Sequence, residues 1–294
     1  MLNLNITNVE QQKLLWKAIL TMNNIKYDVL ALDIDGTLTT SEKIISPATK
    51  KAVIDLQEKG VKVVIASGRS EYGFRHIADE LQFKKYGGYV MSFNGGKVTN
   101  YATGEVVYDT PLSLDMIKSV YDDAVRHNLG ILGYEGDCLI SGNGIDEYQE
   151  YDAWACKMGL KAVDNFPEYF KSPFNKCLLT GKPEELKRVL PVLREKYNEK
   201  LNIFLSEEYF IEVLPKGIHK AVALEHMLKV LGSEPERLVC CGDGLNDLTM
   251  LEYAGVGVAM ANANPKLLEI ADYVTESNDN DGIVKVIEEF FDYV

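Results

Sequence analysis

The nine residues VLALDIDGT, at positions 29–37, are the most informative stretch of the sequence. The apolar run at 29–32 predicts a buried strand of a parallel sheet, and Asp33 and Asp35 follow it directly. Ligands of parallel α/β sheets bind outside the carboxyl ends of the strands, and side chains two residues apart in extended backbone point the same way. The pair therefore predicts a site with two cooperating carboxylates. An ordinary Asp/Gly turn is the alternative.

The segments around this stretch alternate between apolar β-branched runs and helical patterns. Further strands are expected at 61–66, 89–93 and 237–241, with helices at 47–59 and 70–81. Such alternation is typical of βαβ units. The sequence therefore predicts an α/β fold whose core is a Rossmann-like, doubly wound parallel sheet.

The pattern changes between residues 97 and 209, where strands paired by hairpins and helices indicate an α+β domain. We therefore expect a core made of residues 27–96 and 210–294, split by an inserted domain at 97–209. Residues 1–26 form an N-terminal leader, in which 9–22 have the pattern of an amphipathic helix.

The chain is acidic, since 31 Lys and Arg residues against 44 Asp and Glu residues give a formal net charge of −13. This charge repels phosphodiester backbones, so no nucleic-acid partner is expected. The longest apolar runs are far shorter than the roughly 20 residues that cross a bilayer, so no membrane partner is expected either. The N-terminus lacks the features of a secretory signal, and the five cysteines lack metal-ligand spacing. A cytoplasmic location is predicted, and the oligomeric state cannot be read from the sequence.

A second acidic motif, CGDGLND at 241–247, follows the predicted strand at 237–241. Mg²⁺ prefers oxygen ligands and commonly uses one or two carboxylates together with a substrate phosphate. Asp243 and Asp247 are therefore candidate Mg²⁺ ligands. A dinucleotide-binding fingerprint would need glycine at position 247 and is excluded. An Asp/Gly/Asn turn is again the alternative.

Two further segments carry groups suited to binding an anion. Ser67 and Gly68 end one predicted strand and open a helix, where a hydroxyl and backbone N–H groups meet the helix dipole. Lys216 and Lys220 precede a later helix and offer an ammonium group. Taken alone, the serine is equally explained as a helix cap, and a lysine as solvated surface.

Together these motifs, in this order and at the ends of predicted strands, resemble the haloacid dehalogenase superfamily of phosphohydrolases. Within it they resemble the Cof-type, sugar-phosphatase-like branch, and the resemblance covers residues 27–294. It implies that Asp33 attacks phosphorus and that Asp35 acts as general acid and then as general base. It assigns phosphate binding to Ser67, Gly68, Lys220 and Asn246. It assigns Mg²⁺ binding to Asp33, Asp35 through its carbonyl, Asp243 and Asp247. Lys220 is preferred to Lys216 because of the family's spacing before the helix.

The inserted domain resembles the mobile cap of this branch, which shuts over the site and selects the leaving group of the substrate. Asn94 and Arg69 lie on the core side of the junction and are expected to touch the substrate. Tyr148, Tyr151 and Trp154 have helical spacing, which favours packing in the core of the cap over a sugar-binding platform.

The predicted function is Mg²⁺-dependent hydrolysis of small phosphate monoesters, sugar phosphates or related metabolites, through an aspartyl-phosphate intermediate. Two alternatives stay open. A phosphosugar mutase would return the phosphoryl group from the same aspartyl phosphate to a sugar. A non-catalytic phosphate-binding regulatory module would retain the fold, but it has no need of a leaving-group acid such as Asp35.

Overall fold

The strands form two separate sheets in the part of the chain that the computed structural model describes, residues 14–18 and 26–291. In chain order the strands are β1 (Val29–Leu32), β2 (Lys62–Ala66), β3 (Tyr89–Ser92), β4 (Lys97–Asn100), β5 (Val106–Asp109), β6 (Gly130–Glu135), β7 (Cys138–Ser141), β8 (Gly159–Ala162), β9 (Cys177–Thr180), β10 (Leu201–Glu207), β11 (Phe210–Pro215), β12 (Leu238–Gly242), β13 (Val256–Ala259) and β14 (Tyr273–Val274).

Helices alternate with these strands in the first and last thirds of the described chain. From residue 47 onwards the α-helices are α1 (Pro47–Glu58), α2 (Arg75–Glu80), α3 (Phe83–Tyr86), α4 (Leu114–Arg126), α5 (Glu147–Cys156), α6 (Phe166–Tyr169), α7 (Pro183–Tyr197), α8 (Lys220–Leu231), α9 (Leu248–Tyr253), α10 (Pro265–Ile270) and α11 (Gly282–Phe291). The helix predicted at 70–81 is divided into a 3₁₀ turn, Glu71–Phe74, and α2.

The first sheet has eight strands in the order β14-β13-β12-β1-β2-β3-β4-β5. The six strands from β14 to β3 are parallel, as predicted, and β4 and β5 add an antiparallel hairpin. β1 lies near the middle of the sheet, and all four of its residues are buried. Such burial on both faces is what an unbroken apolar strand sequence requires.

Local sequence explains where α1 begins and where α8, which carries Lys220, ends. Ser46 caps α1 by accepting a hydrogen bond from the Thr49 N–H, and Pro47 occupies the first turn, where it needs no hydrogen bond. α8 ends at Gly232, whose left-handed backbone conformation closes the last turn. The first residue of α8 is the predicted site residue Lys220, which follows β11 after the short loop 216–219.

The second sheet has six strands in the order β10-β11-β9-β6-β7-β8, of which only β7 and β8 pair in parallel. Alternate residues of its strands enter different apolar clusters. Ile131 and Leu179 pack in the cluster that contains α4 and α7, whereas Leu132 and Leu178 pack with the residues of α5. The sheet is thus covered on one face by α4 and α7, and α5 lies on the other.

The sheets divide the chain at other positions than the predicted limits of 97 and 209. β4 and β5 were assigned to the inserted domain, but they pair with β3 and extend the first sheet. β11 was assigned to the core, but it pairs with β9 and β10 in the second sheet. A hairpin pattern does not say which sheet it joins, and β3 offers the open edge of the parallel strands. We call residues 112–215, which contain the second sheet, the cap, and the rest of residues 26–291 the core.

The prediction that the aromatic stripe of α5 packs in the core of the cap holds for Tyr148 and is wrong for Tyr151 and Trp154. Trp154 is 75% exposed and Tyr151 is 48% exposed. Tyr148 is half-buried and stacks on Tyr209 with ring centroids 5.4 Å apart. α5 turns a different side towards the cap sheet, because Gln149, Ala153 and Cys156 are the buried residues on that helix. Helical spacing gave the common face of these rings but not its direction.

Residues 14–18 of the leader are helical and contact the core. Trp16 is buried, and its indole N–H donates to the Gly60 carbonyl at 2.9 Å, beside the start of β2. The rest of the helix expected at 9–22 lies outside the described residues. Among the residues described, no helix combines the length and apolar character that crossing a membrane requires.

Candidate active site

The predicted site residues meet at the carboxyl ends of four neighbouring parallel strands. Asp33 follows β1, Ser67 follows β2, Asn94 follows β3, and Asp243 follows β12. Backbone hydrogen bonds link these strand ends: the Asp33 N–H donates to the Cys241 carbonyl at 3.1 Å, and the Asn94 N–H donates to the Ser67 carbonyl at 2.9 Å. The arrangement follows from the parallel sheet, which brings these ends to one edge.

Lys220 lies at the centre of the site with a fully buried side chain. Its ammonium donates to Asp33 Oδ1 at 2.6 Å, to the Ala66 carbonyl at 2.7 Å, and to Asp247 Oδ1. Burial lowers the pKa of Lys220, but the charges of Asp247 and Asp33 outweigh it and raise the pKa above its ordinary value. The lysine is therefore a fixed positive charge.

Asp33, Asp243 and Asp247 form an acidic cluster in which one carboxylate oxygen of each lies within 4.8 Å of the others. Burial, followed by the negative charge of Asp247, raises the pKa of Asp33 well above its usual range, although Lys220 opposes the rise. The same two causes raise the pKa of Asp243 to about 6. Crowded carboxylates with this degree of burial suit a hard divalent cation, which would stabilise their ionised forms.

The DxDGT turn holds Asp243 from the opposite side. Thr37 Oγ1 donates to Asp243 Oδ1 at 3.1 Å. Gly36 has a positive φ of 79°, and a Cβ at this position would collide with the Asp243 carboxylate. Glycine is therefore required here both for the backbone conformation and for the approach of the two loops. Thr37 was not singled out from the sequence, although it belongs to the motif itself.

Asp35 lies between two cations at the rim of the site, and its side chain is 36% exposed. Lys43 and Arg69 each place a nitrogen 2.8 Å from its carboxylate oxygens. Arg69 also donates to the Ala155 carbonyl of the cap at 3.4 Å. Asp35 thus faces the boundary between core and cap, and Arg69 bridges it. Lys43 was missed by the sequence analysis, because a lone lysine in a polar turn carries no signal.

The Ser67–Gly68 loop packs against Asn94. Ser67 is buried, and its Oγ accepts a hydrogen bond from the Arg69 N–H at 3.2 Å. A Cβ at Gly68 would lie 3.0 Å from Asn94 Nδ2, so the loop and the asparagine are in direct contact. Asn94 Oδ1 also accepts from Asn246 Nδ2 at 3.2 Å. Asn246 is the one exposed member of this group and reaches the loop through Asn94.

The structure therefore brings all of the predicted site residues to one end of the core sheet. Lys220 is buried beside Asp33, whereas Lys216 is exposed. Of the two lysines considered, only Lys220 therefore contacts Asp33. Two buried charges of the cap, Lys176 and Glu212, also reach this end of the core and were not predicted. Neither residue belongs to a recognised motif, so no sequence signal pointed to them.

Comparison with known proteins places this fold and site in a family. Residues 30–287 match the family model described as haloacid dehalogenase-like hydrolase. Over 266 residues the chain is 34% identical to YxeH of Bacillus subtilis, covering 90% of this chain and 98% of YxeH. It is 30% identical to YcsE of Bacillus subtilis, a 5-amino-6-(5-phospho-D-ribitylamino)uracil phosphatase, covering 90% of this chain and 96% of YcsE.

Solved structures agree with these matches. A haloacid dehalogenase-like hydrolase from Bacteroides thetaiotaomicron superposes with a TM-score of 0.87 at 38% identity, covering 90% of this chain and all of that one. The subclass IIB sugar phosphatase BT4131 superposes with a TM-score of 0.76 at 26% identity, covering 90% and 98%.

The protein has an α/β core, an inserted cap, and carboxylates at the carboxyl ends of the core strands. This combination is typical of capped α/β hydrolases. The chain belongs to the haloacid dehalogenase-like hydrolase family, and it is a phosphatase of that family. The resemblance to the sugar-phosphatase-like branch, predicted from the motifs, is confirmed.

Proposed function

We propose that the protein is a Mg²⁺-dependent phosphatase that hydrolyses small phosphate monoesters, such as sugar phosphates or related metabolites, through an aspartyl-phosphate intermediate. The observation that carries this proposal is the position of Asp33. It is a buried carboxylate that accepts a hydrogen bond from the fully buried Lys220 and lies close to Asp243 and Asp247. A phosphoryl group placed here would meet a nucleophile, a fixed cation and a metal site together, which are the components that phosphoryl transfer needs.

In the first step, a carboxylate oxygen of Asp33 attacks phosphorus and the bond between phosphorus and the leaving oxygen breaks. Lys220 and the N–H groups of the Ser67–Gly68 loop would stabilise the charge on the phosphoryl oxygens. Asp35 would give its proton to the leaving oxygen, because it lies two residues on and faces the cap side of the site. The products are an aspartyl phosphate and the free alcohol.

In the second step, a water molecule attacks the phosphorus of the aspartyl phosphate, and Asp35, now ionised, takes the proton of that water. The bond between phosphorus and Asp33 breaks, which releases inorganic phosphate and restores the carboxylate. Splitting hydrolysis into two displacements replaces one difficult step by two easier ones. Lys43 and Arg69 would hold Asp35 in place between its two roles, since both cations contact it.

The donor set fits Mg²⁺, which prefers carboxylate and carbonyl oxygens to nitrogen or sulfur ligands. We propose that Asp33, Asp243 and the Asp35 carbonyl hold the ion, with Asp247 ordering the cluster. When bound, Mg²⁺ would neutralise the charge between the clustered carboxylates and the phosphate dianion. Asp247 is suited to an ordering role because its second oxygen accepts from the N–H groups of Asp243 and Gly244.

The groups on the cap side of the site offer both donors and acceptors to a hydroxyl-rich leaving group. Asp35 lies between the cations Lys43 and Arg69, and Asn94 offers an amide beside the buried Glu212 of the cap. Such a mixture of donors and acceptors can hydrogen-bond hydroxyl groups. The names of YcsE and BT4131, a phosphoribityl compound phosphatase and a sugar phosphatase, support the same class of substrate.

The test is a screen for phosphate release from a library of phosphorylated metabolites with Mg²⁺, using wild type and Asp33→Asn. Release of one inorganic phosphate per substrate consumed supports a phosphatase. Isomerised sugar phosphate without phosphate release would indicate the mutase, and binding without turnover would indicate the regulatory module. The predicted cytoplasmic location stays a prediction.

A further inference from the structure

Lys176 and Glu212 are charged residues of the cap that are buried where it meets the core. Lys176 directly precedes β9 and is 4% exposed, and Glu212 lies on β11 and is 6% exposed. β9 and β11 are paired strands, with Glu212 opposite Leu178. The two charges contact each other, with Lys176 Nζ 3.3 Å from Glu212 Oε1.

Each of these cap charges also contacts the core. Lys176 Nζ donates to the Gly68 carbonyl at 3.0 Å. Glu212 Oε2 accepts from Asn94 Nδ2 at 3.0 Å. Gly68 and Asn94 touch each other as well, so the four residues form a closed ring of contacts, two of them on the cap and two on the core.

The contact of Lys176 leads to the hydroxyl of Ser67. The Gly68 carbonyl and the Arg69 N–H belong to one planar peptide unit, so fixing the carbonyl fixes the direction of that N–H. The Arg69 N–H donates to Ser67 Oγ at 3.2 Å. The cap lysine therefore orients, through one peptide plane, the hydroxyl that we assign to the phosphate.

The contact of Glu212 leads to the same serine from the other side. The Asn94 backbone N–H donates to the Ser67 carbonyl at 2.9 Å. Asn94 has a φ of 54°, a left-handed conformation that is uncommon outside glycine and that its surroundings must hold. Glu212 holds the side chain of this residue, and Asn246 holds its other end.

A buried ion pair of this kind adds little to the free energy of unfolding, because the desolvation penalty of the two charges is about as large as their mutual attraction. The cap also has an apolar core of its own on the far face of its sheet. The pair does, however, demand a strict geometry, since any displacement leaves a buried charge without its partner.

We propose that Lys176 and Glu212 are positioning residues that couple closure of the cap to the geometry of the Ser67–Gly68 loop. The proposal rests on the proposed phosphatase function for its meaning in catalysis. With the cap on the core, both charges fix the loop in the form that receives the phosphoryl group. When the cap moves away they leave with it, and the loop loses both constraints before the product departs.

The experiment compares Lys176→Met and Glu212→Gln with matched surface variants in the full chain. The matched variants are Lys118→Met and Asp122→Asn, which break an exposed ion pair of 3.0 Å on α4 of the cap. Steady-state kinetics with the best ester from the screen gives kcat and KM. Hydrogen exchange followed by mass spectrometry reports on fragments that contain the Arg69 and Asn94 amides.

We expect kcat/KM to fall by about tenfold or more in both ring variants, with part of the loss in kcat, and to change by less than about twofold in the surface variants. Exchange at the Arg69 and Asn94 amides should become about tenfold faster without a change in the other core strands. Lys176→Arg keeps a donor for the Gly68 carbonyl, so it should recover part of both effects.

Wild-type exchange rates in both fragments of a folded ring variant would overturn the proposal. If the single variants do not fold, Lys176→Met combined with Glu212→Leu removes both charges together and gives the same measurement. If exchange accelerates as expected while wild type hydrolyses no phosphate ester, the coupling stands and the proposed function fails.

Discussion

Lys220 donates a hydrogen bond of 2.6 Å to Asp33 although 187 positions separate the two residues in the chain. The whole cap lies between them in sequence, and the two halves of the core meet at this bond. Burial and the charge of Asp247 raise the pKa of Asp33, and Lys220 offsets part of that rise. The lysine therefore connects the halves of the core and supports the ionised form of the proposed nucleophile.

The first prediction concerns Lys220→Met. Removing a buried cation that stabilises transition-state charge should lower kcat by about 10²-fold to 10³-fold. It should also lower the free energy of unfolding by about 3 kcal/mol, since Asp33 and Asp247 lose their buried partner. Lys216→Met is the matched control, because Lys216 is exposed four residues earlier. Equal kinetics and equal thermal melting of the two variants would contradict this assignment.

The second prediction separates the two aspartates of the DxDGT motif. Asp33→Asn should be inactive, because an amide is a poor nucleophile towards phosphorus. Asp35→Asn keeps the nucleophile but has no proton to give and no base for the water, so it should accumulate phosphoenzyme if the second step is the slower. Rapid quench and intact mass spectrometry should show an added phosphoryl group on Asp35→Asn alone. An adduct on Asp33→Asn would mean that the nucleophile is another residue.

The leaving group supplies a further check on Asp35. Para-nitrophenolate leaves without a proton, whereas a sugar alkoxide needs one. The rate of the first step of Asp35→Asn should therefore fall less with para-nitrophenyl phosphate than with a sugar phosphate. The measurement is the amplitude and rate of the nitrophenolate burst, and equal losses with both substrates would count against an acid role.

The third prediction is that protons and Mg²⁺ compete for the acidic cluster. The pKa of Asp243 is raised from 3.8 to about 6. A carboxyl group that holds its proton more tightly when folded destabilises the metal-free fold as the pH rises from about 4 to above 6. Mg²⁺ needs the ionised carboxylates and should reverse this loss. The rise in Tm on adding Mg²⁺ should therefore be several degrees at about pH 7.5 and small at about pH 5.

The control for this prediction is Asp243→Asn, which should keep the fold, as judged by circular dichroism, and lose most of the Mg²⁺-dependent rise in Tm. Chelation with EDTA should abolish turnover of the wild type, and added Mg²⁺ should restore it. Full activity in EDTA, or an equal Mg²⁺ effect at both pH values, would contradict the metal assignment.

The fourth prediction concerns the leader. A shortened protein that begins at Met22 should keep kcat/KM to within about tenfold, or roughly 1.4 kcal/mol, because Trp16 contacts the end of the core far from the site. Trp16→Ala should lower the free energy of unfolding by about 3 kcal/mol at most, the low end for a buried tryptophan. Leu15→Ala is the matched control, since Leu15 is 64% exposed. Urea unfolding measures both, and equal effects would show that Trp16 is not an anchor.

The core and most of the site could be predicted from the sequence, because their signals are local. The unbroken apolar strand predicts a buried sheet, and Asp33 and Asp35 directly after it predict a site at the edge of that sheet. The second motif supplies Asp243 and Asp247 on the neighbouring strand β12. Once the strands are parallel, the topology alone brings these residues together.

The remaining features depend on contacts between distant parts of the chain. A hairpin such as β4 and β5 can extend either sheet, and only the open edge of β3 decides between them. The exposure of Trp154 depends on which side of α5 meets the core, which spacing does not reveal. Lys176 and Glu212 lie in unremarkable sequence, and their burial at the core exists only in three dimensions.

The division of the core by the cap also sets the order in which the molecule is completed during synthesis. β1 has β2 and β12 as its neighbours, and β12 begins only at Leu238. A growing chain therefore makes every strand of the cap sheet, through Pro215, while one edge of β1 still lacks its partner. Open strand edges invite pairing with other chains, so we expect the ribosome-bound chain to be more prone to aggregation than the finished protein. The strand that covers this edge of β1 and the site residues Lys220, Asp243 and Asp247 all lie in the segment from Lys220 to Asp247, and β13 and β14 complete the sheet afterwards.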